Sequence, residues 1–154
     1  MLTSVTVRVK TKDAKFLGSS LGGAFVTLHD VWTGELLASG RTTGTTGNTE
    51  RILTQYRTAR DTLSDVTTAC FKTELDLTEP RLVQVTAYGP LAQTQSAVQC
   101  SAQQWIVPGK HINEGDGWML ELPGMAVDVF QPPAHSSVSA TEGTLELLAN
   151  VIMM

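Results

Sequence analysis

Apolar and polar side chains alternate with period two along much of this chain, and the rest of it is organised around residues 22–47. There Ala24, Val26 and Leu28 interleave with Phe25, Thr27 and His29, the pattern of a half-buried strand. Asp30-Val31-Trp32-Thr33-Gly34-Glu35 then turns the chain, and Gly34 can take the positive φ of a tight hairpin. Leu36 and Ala38 resume the alternation as far as Gly40, before a Gly/Thr loop over residues 41–48. Upstream, Val5, Val7 and Val9 against Thr6, Arg8 and Lys10 predict a first strand. Downstream, Ile52, Leu53, Tyr56, Ala59 and Leu63 recur at helical spacing behind Asn48, a capping residue type. A short helix or a loop is expected over 49–63.

From residue 68 the strand pattern returns. Phe71, Leu75 and Leu77 share one side and Glu79-Pro80 closes the segment; Val83, Val85 and Ala87 mark the next, closed by Gly89-Pro90. Residues 97–107 read as a strand with Trp105 near its end, stopped by Pro108-Gly109. Trp118, Leu120 and Leu122 alternate with Met119 and Glu121, and Val127 and Val129 follow Pro123-Gly124, a turn dipeptide. Residues 118–130 are therefore predicted to form a hairpin. Pro132-Pro133 and a Ser-rich linker lead to a last strand over 144–154, apolar on both sides. It is an inner strand, a segment docked on another chain, or the edge of a fragment. Eight or nine strands with Gly/Pro turns and no βαβ order predict an all-β antiparallel sandwich, one domain over 1–154.

Composition narrows the function. The 154 residues are enough to bury a core without metal or disulfide staples. A net charge of -4 with no Lys/Arg cluster lacks the basic face that nucleic acid demands. No run approaches the ~20 apolar residues of a membrane span. The opening MLTSVTVRVK alternates from the start and shows no signal-peptide pattern, so the expectation is a cytoplasmic location, or a leader already removed. Cys70 shares parity with Lys72, Glu74 and Asp76, whereas Cys100 shares it with Val98 and Ala102. Opposite faces predict free thiols, in keeping with a reducing compartment, and two cysteines without a CxxC disfavour zinc.

Candidate chemistry is sparse. His29-Asp30 could pair a base with a carboxylate, but neighbours on a strand point to opposite faces. The loop Lys110-His111-Ile112-Asn113-Glu114-Gly115-Asp116-Gly117 is the most polar, and His111, Glu114 and Asp116 could hold a cation. It lacks the D-x-[DN]-x-[DN]-G series of a calcium loop. The glycines of residues 40–47 are followed by no Gly-Lys-Ser/Thr, and His135-Ser136-Ser137 has no nucleophile elbow. No cofactor is expected.

The run GAFVTLHDVWTGELLASGRTTGTTG, with a D-x-x-T-G turn from Asp30 to Gly34 and a Gly/Thr step, resembles the first hairpin of transthyretin-like and carboxypeptidase-regulatory-like β-sandwich domains. The likeness is motif-level there and pattern-level over 1–130. It implies an accessory, adhesive or interaction module. Two catalytic relatives do not fit. Transthyretin-like hydroxyisourate hydrolases end in Tyr-Arg-Gly-Ser, where this sequence has Val151-Ile152-Met153-Met154. Intradiol dioxygenases hold iron with two tyrosines and a His-x-His pair; Tyr56 and Tyr88 exist, but His29, His111 and His135 are scattered. Three functions are thus weighed. The first is a non-catalytic module that self-associates or binds a protein, using Phe25, Leu82, Tyr88, Met119, Phe130, Ile152 and Met154. The second is an accessory small subunit of a larger enzyme, and the third a metal protein or enzyme built on the 110–117 loop.

Overall fold

Val5, Val7 and Val9 all point inward from one strand, β1 (Leu2–Thr11), and are essentially solvent-free. The computed structural model describes residues 1–55, 58, 61–141 and 143–154. Among these, β1 is followed by β2 (Phe25–Asp30), β3 (Leu36–Arg41), a five-residue helix α1 (Thr49–Leu53), β4 (Phe71–Asp76) and β5 (Arg81–Gly89). Then come β6 (Val98–Ile106), β7 (Trp118–Leu122), β8 (Met125–Gln131) and β9 (Leu148–Met153). The fold is an all-β sandwich. One sheet has the order β4-β1-β7, the facing one β3-β2-β5-β6, and β8 and β9 form a separate ribbon. Every pair is antiparallel except β1 with β7, which run parallel.

Period-two alternation places the core. Ala24, just before β2, Val26 and Leu28 of β2 and Val83, Val85 and Ala87 of β5 meet the three β1 valines, Leu75, Leu77 and Trp118, Leu120 and Leu122 in one cluster. Burial of such side chains contributes roughly 25 cal/mol per Å² of apolar area. Close approach fixes one glycine: a Cβ on Gly40 of β3 would run into the ring of Phe71 on β4.

The β2–β3 turn forms as its sequence predicts. The Asp30 carboxylate accepts from the Trp32 and Thr33 N–H groups, both at 2.9 Å, and Gly34 has φ 72°. Above all the Thr33 N–H bond, against the effect of burial, holds the Asp30 carboxyl below its ordinary value of 3.8. Helix α1 is capped by Asn48, whose side chain accepts from Arg51 N at 2.9 Å, but ends at Leu53 rather than reaching 63. Tyr56 and Ala59 lie outside the described residues. Ile52 and Leu63 do turn inward, forming a small second core with Phe16.

Two boundaries need correction. Residues 118–130 are not a hairpin: β7 pairs with β1 and β8 with β9, so the chain changes sheets at Pro123-Gly124. Gly124 lacks the positive φ of a two-residue turn; its carbonyl instead accepts from Met154 N at 2.9 Å. A Cβ there would strike the Lys12 carbonyl, so the glycine permits a close crossing. The last strand is Leu148–Met153, shorter than 144–154.

Candidate interaction surface

The β8–β9 ribbon has two faces of opposite character. The register pairs Met125 with Met153, Val127 with Val151 and Val129 with Ala149, and side chains directly opposite share a face. On this face all six are apolar and exposed, and Met125, Val127, Val129, Val151 and Met153 are each 40–57% exposed. On the other face, Ala126 is buried and Ile152 half-buried against the sandwich core. Farther along, Phe130 and Leu148 are exposed again. One end of the ribbon is thus rooted in the core, and its outer face presents an uncharged ladder.

Its two edges differ as well. Ser96 Oγ accepts from Val127 N at 2.6 Å and donates to Val127 O at 2.7 Å. Gln95 does the same for Val129, at 2.9 Å and 3.2 Å through its amide oxygen and nitrogen. Those two side chains from the short turn Thr94–Ser96 stand in for a neighbouring strand and seal the edge of β8. Because the backbone groups of Val127 and Val129 point away from β9, those of their partners Val151 and Ala149 point away from β8. No hydrogen bond covers them among the described residues. The edge of β9 is open.

The residues singled out from sequence fall into three groups. Phe25 and Tyr88 are exposed cross-strand partners on β2 and β5, and half-buried Leu82 sits opposite Trp105. Met119 is exposed on β7 across from Arg8, and Phe130 is exposed on the ribbon. Met154 is a correction. It is only 1% exposed, and its carbonyl accepts from Lys15 N at 3.0 Å and Thr11 Oγ1 at 2.8 Å. It fills this protein's own core instead of facing a partner. Sequence reading missed Trp32, 69% exposed, whose ring meets that of Trp105 edge-on with centroids 5.2 Å apart.

The polar loop is tied into the fold by hydrogen bonds. His111 Nδ1 accepts from Ser4 N at 3.0 Å, and the Asp116 carboxylate accepts from Leu63 N and Ser64 N, at 3.0 Å and 2.8 Å through Oδ1. The Glu114 carbonyl accepts from Gly117 N. The carboxylate of Asp116 thereby anchors the segment carrying Leu63, and no group of three or more metal-ligating side chains converges among the described residues. Among the described residues His29 likewise gains no orienting acid, because the Asp30 carboxylate serves its turn and lies 3.6 Å from Arg81. Cys70 and Cys100 are both free; burial raises the pKa of the Cys100 thiol. Among the described residues no helix is long and apolar enough to cross a membrane. No protein-family model, curated protein or solved structure matches this chain.

Proposed function

We propose that the protein is a non-catalytic assembly module that self-associates through its β8–β9 ribbon. The observation that carries this reading is the asymmetry of the ribbon: the β8 edge is sealed by Gln95 and Ser96, while the β9 edge is open beside an apolar face. Folded proteins blunt exposed edges with charge, proline or cover, and Leu148–Met153 has neither charge nor proline.

Size and charge favour a second copy as occupant. The six side chains of the outer face expose roughly 500 Å², within the range of functional patches. A strand edge pairs antiparallel with its own copy across a two-fold axis, so one patch completes itself. Each copy carries net charge -4, yet the β9 segment is neutral and two of them meet without repulsion. The likeness of residues 22–47 to accessory and adhesive domains agrees with this role.

Sedimentation velocity over about a hundredfold range of concentration tests it by mass action. The 16.6 kDa species should give way to one of twice that mass as concentration rises. A single 16.6 kDa species throughout would rule self-association out.

A further inference from the structure

The outward face of β1 carries Thr6, Arg8 and Lys10, and all three are buried although they alternate with the core valines. Lys10 is accommodated, since its Nζ donates to Thr11 O at 2.9 Å. Arg8 is not. It is 8% exposed, its Nε and Nη1 are out of contact with solvent, and neither has a hydrogen-bond partner among the described residues. A guanidinium cannot shed its proton at any pH a protein survives, so the charge stays. Breaking or omitting the partner of a buried charge is strongly destabilising. A buried, unsatisfied arginine therefore calls for a counter-group.

The place for one is beside it. Arg8 lines a recess of about 340 Å³ together with Ser4, Thr6, Lys72, Glu74 and Asn113. The β1/β4 register builds it, setting Lys72 opposite Thr6 and Glu74 opposite Ser4, so all four share the outer face with Arg8. Lys72 and Glu74 are exposed at the rim and cancel in formal charge, which leaves Arg8 as the uncompensated charge. Hydroxyl and amide groups of Ser4, Thr6 and Asn113 supply neutral donors around it. The planar guanidinium matches two oxygens of one oxyanion.

We propose that this recess is a binding site for a small oxyanion, a phosphate or carboxylate group held bidentately by Arg8 with Lys72 at the mouth. It lies on the three-stranded sheet and is independent of the β8–β9 ribbon. Calorimetric titration of the full chain with inorganic phosphate and with malonate, sodium chloride serving as the ionic-strength control, tests it. Saturable binding of either anion is expected, phosphate alone marking a tetrahedral preference and malonate alone a planar one. Arg8→Met should weaken that binding at least about tenfold, the loss of a bidentate charged contact. It should also melt no lower than the parent in chloride, since an unpaired buried charge has been removed. Lys72→Gln, at an exposed position, should weaken binding several-fold and gives a second reading if Arg8→Met does not fold. Absence of saturable binding by the parent, or unchanged affinity in Arg8→Met or Lys72→Gln, would overturn the proposal.

Discussion

Replacing Val151 by lysine is expected to weaken self-association at least about a hundredfold, equivalent to ~3 kcal/mol. Val151 sits mid-strand on β9, opposite Val127, at the centre of the exposed ladder. In a two-fold pairing of β9 strands the new ammonium would approach its own copy. It would also be removed from water among methionine and valine side chains. Like charges and desolvation act in the same direction there. The isolated subunit should hardly notice, because Val151 is largely exposed and surface substitutions usually stay within ±0.5 kcal/mol. Lysine on a strand edge is indeed the residue by which folded proteins keep edges apart. Sedimentation should show a monomer with an unchanged melting temperature. A variant that associates as its parent does would place the contact elsewhere.

The second large effect concerns the sandwich. Leu28→Ala should lower unfolding free energy by about 3 kcal/mol, within the 2–5 kcal/mol typical of buried leucines. Leu28 is fully buried on β2, which pairs with both β3 and β5, so strands on either side restrict collapse around the lost methyl groups. For a chain of this length the melting temperature should fall by about 10 °C. Leu36→Ala is the control, since Leu36 is exposed and should change stability by less than ~0.5 kcal/mol. Urea unfolding of both variants measures the difference. A Leu28→Ala loss under ~1 kcal/mol would contradict the packing described.

Much of the fold was legible in local pattern. Ala24, Val26 and Leu28, like Val83, Val85 and Ala87, announced their strands because one residue type holds one parity. Asp30, Gly34 and Asn48 were readable because turn and cap chemistry acts within a few residues. The 118–130 hairpin failed for the complementary reason. Two alternating segments around Pro123-Gly124 describe a hairpin and a sheet-changing corner equally well, and the choice rests on β1, far away in sequence. The last segment is apolar on both parities, so the sequence marks no inner face there and leaves Ile152 and Met154 as candidates for an interface as much as for the core. The ribbon itself was half visible. Its apolar composition could be read, but its open edge depends on where Gln95 and Ser96 fold back, and the burial of Arg8 depends on two neighbouring strands.

Amide hydrogen exchange, resolved by residue and repeated at low and high protein concentration, tests the central claim most directly. The N–H groups of Ala149 and Val151 point away from β8, so they should exchange quickly when the protein is dilute and slow markedly as it is concentrated. Val127 and Val129, already sealed by Ser96 and Gln95, should change far less. Fast exchange at Ala149 and Val151 at every concentration would mean that this edge meets no second copy.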